Sequence, residues 1–238
     1  ANLVRKTRSI KSSAEISKIE AACVVAGQAF ARLEEVVQPG QTQAQIFRGF
    51  QKLLLDEGAD FVPYVAGGFG PMGYKDVISP ANDTHVALGD VVMLDTGMIL
   101  DGYFADFDRN VSVGRPPAPA VAATHDKLIE AVAAGFDRAK PGERICDLFA
   151  AMDQVLTGGK NQADSGRFGH GLGMQLTEWP SIIPAETTVL EPGLVLTLEP
   201  SLATDDQGHI LVAEENIVIT ETGARALSSF AGSEMMVV

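Results

Sequence analysis

Apolar residues recur along the first part of the chain at the spacing of an amphipathic helix. Residues 12–15 have the Ser-x-x-Glu form of a capping box, and the apolar positions behind them, up to Val37, are three and four residues apart. We expect this helix to end before Pro39-Gly40. A second capping box at Thr42 predicts another helix, ended by Gly58, whose apolar face consists of Ile46, Phe47, Phe50, Leu53 and Leu54.

Two apolar segments rich in β-branched residues predict a β-hairpin. They are residues 91–100 and 103–113, and they flank Asp101-Gly102. Asp-Gly is favoured in tight hairpin turns because both residues tolerate a positive φ.

The register of this hairpin decides where its aspartates point. A two-residue loop pairs Asp95 with Asp108 and Gly97 with Asp106, and side-chain alternation then puts Asp95 and Asp106 on one face as diagonal neighbours. A looser register pairs these two aspartates directly. A three-residue loop separates them, so the prediction depends on the turn.

The helical pattern returns in the second half of the chain and indicates an internal duplication. After a proline-rich linker, a helix at about residues 121–140 runs into Pro141-Gly142, and a shift of 102 residues superimposes Pro39-Gly40 on that pair. We therefore predict an α+β fold of two similar halves, about residues 12–115 and 120–230. In such a fold, helices cover a continuous, curved antiparallel sheet.

Length and composition fit one globular domain over residues 1–238. Of the 238 residues, 46% are hydrophobic and 21% charged, and neither half carries the full set of polar residues described below. The formal net charge of −13 argues against nucleic acid and anionic membranes as partners, because both need clustered Lys and Arg. Cys23 and Cys146 have no paired spacing, and no apolar run approaches the ~20 residues that span a bilayer. We expect a cytoplasmic protein.

Five acid or imidazole side chains stand in strand-like, otherwise apolar segments and together suggest a metal site. They are Asp95, Asp106, His170, Glu199 and Glu215. Carboxylates that point at one another in a low-dielectric site repel unless a cation neutralises them. Oxygen donors with one imidazole favour a pair of Mn, Fe, Co or Zn ions, which share and activate a water. Each residue alone is more often a turn, ion-pair or strand-end residue, so the prediction rests on their joint occurrence.

The same segments resemble the creatinase, prolidase, aminopeptidase P and methionine aminopeptidase family, metallohydrolases with the pita-bread fold. The D-x-G…G-Y…D-x-x-R pattern of that family matches residues 95–109, and Gly-His-Gly-Leu-Gly matches residues 169–173. Residues 191–200 and 215–220 resemble its remaining ligand motifs, in the same order. The resemblance covers essentially the whole chain.

The resemblance implies a dinuclear metal-dependent hydrolase of C–N bonds, a metallopeptidase similar to Xaa-Pro dipeptidase or aminopeptidase P. By this resemblance the five side chains above are the metal ligands, and Asp106 and Glu215 bridge the two ions. Glu199 and His170 are then catalytic, Glu199 through proton transfer. Residues 3–16 resemble the junction that follows a separate N-terminal domain in such enzymes. We therefore expect a domain upstream and a homodimer that acts on a small molecule or a short peptide.

Two positions depart from the pattern of the peptide-cleaving relatives. Those relatives carry a histidine seven residues after the Gly-His-Gly histidine, where this chain has Thr177. They carry another about 17 residues before the first Asp ligand, where this chain has Val77 and Ile78. In those relatives both histidines contact the substrate carbonyl or the tetrahedral intermediate. The loss of one such hydrogen-bond donor lowers the reaction rate by about 10²–10³-fold. Thr177 still offers a hydroxyl, and we predict a catalytic and substrate-binding role for it.

Three further side chains are candidate substrate contacts. Tyr74 and Trp179, the only tryptophan, either line a pocket for an apolar or cyclic, cationic substrate or pack in the core. His85 lies ten residues before Asp95. It reaches the site only through a shift of its loop, and is otherwise a loop histidine.

Three functions therefore remain open. The first is hydrolysis of Xaa-Pro peptides, and the second is hydrolysis of a small non-peptide amide, which Thr177 and the missing upstream histidine suggest. The third is a metal-free binding module of the same fold, against which the complete ligand set argues. The donor set does not select one metal, because several divalent ions accept it.

Overall fold

The structure, a computed structural model, describes residues 2–78, 80–160 and 166–238, and five α-helices lie in these ranges. They are α1 (Asn2–Ser9), α2 (Ser13–Phe30), α3 (Gln43–Asp56), α4 (Pro119–Arg138) and α5 (Ile145–Thr157). The strands are β1 (Phe61–Gly70), β2 (Val91–Leu100), β3 (Tyr103–Ser112), β4 (His170–Gly171), β5 (Glu178–Ser181), β6 (Val195–Leu198), β7 (Ser201–Ala203), β8 (Ile210–Val212), β9 (Glu215–Ile219), β10 (Ala224–Ala226) and β11 (Met236–Val237).

Both capping boxes form, but the first helix is shorter than its apolar pattern. The Ser12 hydroxyl accepts from the Glu15 N–H, and the Glu15 carboxylate accepts from the Ser12 N–H. α2 ends at Phe30, well before the predicted end near Val37, and the chain continues through a 3₁₀ turn at Leu33–Glu35. The apolar spacing persists because this turn and the residues after it pack into the same core as the helix.

The hairpin at Asp101-Gly102 has the register predicted for a two-residue loop. Asp95 pairs with Asp108, and Gly97 pairs with Asp106. Both turn residues have a positive φ, 48° and 80°, as this turn requires. The looser register and the three-residue loop are therefore wrong, and the three aspartates share one face of the hairpin.

The strands form two main sheets instead of the continuous sheet that was predicted. The first has the order β1-β2-β3-β11 and the second β10-β9-β6-β4-β5, while β7 and β8 pair separately. The β3–β11 pair is parallel, and the other pairs in the described chain are antiparallel. Where β3 meets β9, the Asn216 side chain bonds the main-chain N–H and carbonyl of Asp106. Hydrogen bonds of this side-chain amide thus replace main-chain pairing between the two strands where the two sheets meet.

Each half covers its sheet with a pair of helices, as the duplication predicts. α2 and α3 pack on the first sheet, and α4 packs on α5 and on strands of the second half. α3 and α5 begin 102 residues apart, at Gln43 and Ile145. Two clusters of buried apolar side chains largely follow the same division.

Two simpler expectations also agree with the structure. Cys23 and Cys146 are free thiols. Among the helices of the described ranges, none combines the length and the apolar character that crossing a bilayer requires.

Candidate metal centre

Acids from both halves and one histidine converge on a single cavity. Asp95 and Asp106 lie on the β2–β3 hairpin, and His170 begins β4. Glu199 directly follows β6, and Glu214 directly precedes β9. These side chains line a cavity of about 90 Å³, which is room for a few water-sized groups. The site therefore requires both halves of the fold.

His170 Nε2 is the centre of this cluster. It lies 3.4 Å from Asp106 Oδ2, 3.9 Å from Glu199 Oε2 and 4.0 Å from Glu214 Oε1. Nδ1 of the same ring donates to the Gly171 carbonyl at 2.9 Å, which leaves Nε2 of the neutral ring with a lone pair. Burial lowers the pKa of His170 to about 4, so the ring is neutral at physiological pH. An unprotonated nitrogen thus faces three carboxylate oxygens.

Several oxygens of the cavity are buried without a hydrogen-bond partner in the described part of the chain. They are Asp95 Oδ1, Asp108 Oδ2, Glu199 Oε2 and Glu214 Oε1. A buried charged oxygen that stays unpaired is costly. Ligand atoms of Asp106, His170 and Glu214 all lie within 4.8 Å of one another, so these three side chains could hold a divalent cation. Carboxylate oxygens and one imidazole nitrogen suit Mn, Fe, Co or Zn. The residues therefore fit a metal centre.

Burial and mutual repulsion raise the pKa values of the acids. Burial raises the pKa of Asp95 to about 6 and, with the charge of Asp95, the pKa of Glu199 to about 7. The pKa values of Asp106, Asp108 and Glu214 lie well above their ordinary range, mainly because of burial and then because of the neighbouring carboxylates. Acids that resist ionisation unless positive charge is supplied are typical of functional sites.

The structure corrects the prediction that Glu215 is a bridging ligand. Its Oε2 lies 3.1 Å from Arg109 Nη2 and 2.5 Å from Ser228 Oγ, and its Oε1 accepts from a main-chain N–H. Glu214 takes the predicted place in the cavity. Neighbouring residues of an extended chain point to opposite sides, so only one of these two acids can face the cluster.

Asp108 is an additional acid of the cavity. Its Oδ1 accepts from the Glu214 N–H at 3.2 Å, and its side chain is buried. It therefore holds the main chain of Glu214 in place, while its Oδ2 stays unpaired.

Glycines on either side of His170 let β4 approach its neighbours closely. A Cβ on Gly169 would lie 2.2 Å from the Thr197 carbonyl oxygen, and a Cβ on Gly171 would lie 2.5 Å from the Trp179 carbonyl oxygen. Gly169 also has a φ of +130°, which side chains rarely allow. The Gly-His-Gly motif thus fixes the imidazole between β5 and β6.

Of the predicted substrate contacts, Thr177 lines the cavity and Tyr74 does not. Thr177 is exposed at the mouth. Tyr74 is buried in the core, where its hydroxyl donates to Asn110 Oδ1 at 3.0 Å and accepts from the Val212 N–H at 2.7 Å. The structure therefore corrects the prediction for Tyr74, because its hydroxyl is already satisfied.

His85 and Trp179 also lie away from the cavity, contrary to the prediction. His85 is exposed and bridges to Thr42 at the start of α3. Trp179 lines a neighbouring groove beside α1, together with Arg5 and Arg8. The rings of His85 and Trp179 therefore do not line the cavity that the acids line.

Sequence reasoning missed four residues of the cavity wall, Met93, Arg167, Leu176 and Val212. Within the described chain, the other lining residues are Tyr64, Val77, Ile78, Met93, Arg167, Leu176 and Val212. Val77 and Ile78 mark the position where the peptide-cleaving relatives have a histidine, and here the wall is apolar. Arg167 lies three residues before His170, which is the one signal in the sequence that would have found it.

Comparison with known sequences matches the chain to one protein family and to several named relatives. A family model described as Metallopeptidase family M24 matches residues 17–221. A Bacillus subtilis protein called Uncharacterized peptidase YqhT is 32% identical over 232 residues, which cover 96% of this chain and 64% of that protein. An Xaa-Pro dipeptidase of Pyrococcus horikoshii is 28% identical over 95% of this chain and 64% of its own length. An ectoine hydrolase of Halomonas elongata is 28% identical, over 96% of this chain and 60% of its length. The chain thus spans less than two thirds of these relatives.

Solved structures share the fold over nearly the whole chain. The dipeptidase PepE of Mycobacterium ulcerans has a TM-score of 0.91 at 29% identity, covering 100% of this chain and 63% of its own. The X-Pro aminopeptidase of Thermotoga maritima has a TM-score of 0.91 at 26% identity, covering 100% and 66%. The prolidase of Pyrococcus furiosus has a TM-score of 0.87 at 26% identity, covering 97% and 68%. The likeness confirms the predicted α+β fold.

Proposed function

Because the chain belongs to metallopeptidase family M24 and has its pita-bread fold, we propose that it is a metal-dependent hydrolase of C–N bonds with two divalent ions. The observation that carries the proposal is the neutral His170 Nε2 within 4.0 Å of three carboxylate oxygens. The residues that would hold the ions are Asp95, Asp106, His170, Glu199 and Glu214. Glu214 replaces Glu215 in this set.

The chain's own residues supply proton transfer, hydrogen bonding and exclusion of water. Bound ions provide a water of lowered pKa and polarise the substrate carbonyl. Glu199 has a partly exposed carboxylate 3.9 Å from His170 Nε2, which suits it to accept a proton from water and give it to the leaving nitrogen. The Thr177 hydroxyl at the mouth can donate to the substrate. Leu176 and Val212 keep the adjacent wall dry.

Xaa-Pro dipeptides and short peptides are the first substrate candidates. The similar proteins include an Xaa-Pro dipeptidase and an X-Pro aminopeptidase. A small non-peptide amide is the second candidate, favoured by the apolar wall at Val77 and Ile78, by Thr177, and by the similarity to an ectoine hydrolase. The unpaired buried oxygens argue against a metal-free binding module.

We also propose that the enzyme is a cytoplasmic homodimer. The two free thiols are compatible with a reducing compartment. The dimer is proposed from the family resemblance alone, and light scattering of the purified protein tests it.

Metal reconstitution followed by a substrate panel tests the function. Chelated protein is reloaded with Mn²⁺ or Co²⁺ and assayed with Ala-Pro, an Xaa-Pro tripeptide and small N-acyl amides. Turnover is expected only after loading, and Asp106→Asn should lower it at least ~10³-fold. Asp137→Asn, at an exposed position of α4, is the matched control. The proposal would be overturned if elemental analysis showed no metal uptake and the protein turned over none of these substrates.

A further inference from the structure

A buried ion pair lies directly behind the mouth of the metal cavity. Lys11 Nζ is 3.1 Å from Glu178 Oε2, and the two side chains are only 2% and 6% exposed. Glu178 begins β5 and directly follows Thr177, which lines the cavity. The lysine thus contacts the chain one residue away from a candidate substrate contact.

Glu178 connects this charge to the loop of residues 172–177, which joins β4 to β5. Its Oε1 accepts from the Gln175 N–H at 3.2 Å, three residues back along the chain. Thr177 lies between these two bonded positions. Its place at the cavity mouth therefore depends on where the Glu178 carboxylate is held.

Lys11 is itself fixed to the second half of the fold. Its main-chain N–H donates to the Gly193 carbonyl at 2.8 Å, and Ile10 bridges to Leu194, directly before β6. A Cβ on Gly173 would lie 2.9 Å from Lys11 Cε, so the loop packs against the lysine side chain. The ammonium therefore extends to the loop from a main chain that is held beside β6.

Stability is a weak reason for this arrangement. Desolvation of two charges offsets much of their attraction, so a buried ion pair adds little to the free energy of folding. Arg8 Nη2, at 2.6 Å from Glu178 Oε1, already gives the carboxylate a cationic partner. Lys11 holds the other oxygen, Oε2, so that both oxygens of the carboxylate are restrained.

We propose that Lys11 is a positioning residue that, through Glu178, holds the Thr177 hydroxyl in place for the substrate. A displacement of about 1 Å in the reacting geometry costs on the order of 10²-fold in rate. The inference rests on the proposed function, in which the Thr177 hydroxyl donates to the substrate. Lys11 then contributes to turnover without contacting the substrate or the ions.

A double-mutant cycle on kcat/KM tests the inference in the Mn²⁺-loaded protein, with the best substrate of the panel. Lys11→Met should lower kcat/KM about 10²-fold, but at most about threefold in a Thr177→Ala background, because no hydroxyl then remains to be positioned. Mn²⁺ affinity should stay within about threefold. Lys18→Met, which removes an exposed ion pair with Asp101, is the matched control and should leave kcat/KM unchanged.

A second variant carries the same test if Lys11→Met does not fold. Glu178→Gln keeps the size of the side chain and replaces the charged hydrogen bonds by weaker neutral ones. It should lower kcat/KM about tenfold, again only while Thr177 keeps its hydroxyl.

Hydrogen exchange keeps the inference separate from turnover. The Gln175 N–H should exchange at least about tenfold faster in Lys11→Met than in the unsubstituted protein, while the amides of α5 stay unchanged. If the unsubstituted protein turns over no substrate, the proposed function fails, and faster exchange confined to the loop still supports the inference. An equal loss of kcat/KM with and without the Thr177 hydroxyl, or unchanged exchange at Gln175, would overturn the inference and assign Lys11 to the fold alone.

Discussion

Glu214 and Glu215 show how one position of register separates a site residue from a structural one. β6 pairs with β9 so that Leu198 faces Glu215, and the next pair outward is Glu199 opposite Glu214. Residues directly opposite each other in antiparallel strands point to the same face. Glu199 and Glu214 therefore both reach His170. The sequence alone does not show which of two adjacent acids faces the cavity. For this reason the prediction named Glu215 instead of Glu214.

Exchanging each of these acids for glutamine separates their roles. Glu214→Gln should weaken Mn²⁺ binding at least ~10²-fold and leave the metal-free protein as stable or more stable, because a repelling buried charge is removed. Glu215→Gln should leave Mn²⁺ affinity within about threefold but lower the free energy of unfolding by about 3 kcal/mol, because Arg109 loses its buried partner. Calorimetric titration and urea unfolding measure the two quantities. Equal metal affinities in both variants would contradict the assignment.

Residue types that hold metals could be read from the sequence, whereas residues that line a wall could not. His170 and the aspartates stood out because acids and imidazoles are rare among apolar strand residues. Tyr74 did not reveal its role, because a tyrosine among apolar neighbours fits a pocket and a core equally well. Its place follows from Asn110 and the Val212 N–H, which satisfy its hydroxyl far along the chain.

At the scale of elements, local patterns were predictable and distant pairings were not. The capping box at Ser12 and the turn at Asp101-Gly102 each involve residues close in sequence, and both formed as predicted. β4, which carries His170, has only two residues, and its position is set by β5 and β6. A strand this short has no periodicity, so its existence depends on partners that the sequence does not identify.

Gly169 tests how strictly β4 must approach β6. Gly169→Ala would bring a Cβ to 2.2 Å from a main-chain oxygen of Thr197, so β4 must move. We expect a loss of at least about 3 kcal/mol in the free energy of unfolding and weaker Mn²⁺ binding, because His170 moves with the strand. Urea unfolding and calorimetric titration measure both effects.

The matched control is Gly166→Ala, which shares the positive φ but not the close contact. Gly166 has a φ of +69°, and a Cβ added to it would meet no atom within 4 Å. Its substitution should cost about 1–2 kcal/mol, from backbone conformation alone, and leave metal binding unchanged. If Gly169→Ala were no more destabilising than Gly166→Ala, steric exclusion at β4 would not be what positions the histidine.

At the scale of the whole molecule, the metal centre joins the two halves. Asp95 and Asp106 come from the first half, and His170, Glu199 and Glu214 come from the second. The sheets are separate, and these residues and the hydrogen bonds of the Asn216 side chain are part of the polar junction between the halves. We propose that residues 1–238 are one cooperative domain, because neither half contains a complete site.

The pH dependence of the metal-free protein tests this junction. The folded pKa values of Asp95, about 6, and Glu199, about 7, exceed those of the unfolded chain, near 4. Between these values the folded state holds protons that the unfolded state releases, so stability falls as pH rises. The Tm of chelated protein should therefore drop by several degrees from pH 5 to pH 8, and saturating Mn²⁺ should restore it at pH 8, because ions bind the ionised carboxylates. Trp179 fluorescence and circular dichroism should report one shared transition. A Tm that is constant or rises over this range without metal would mean that the buried acids do not destabilise the folded state. Two separate transitions would mean that the two halves are not one cooperative domain.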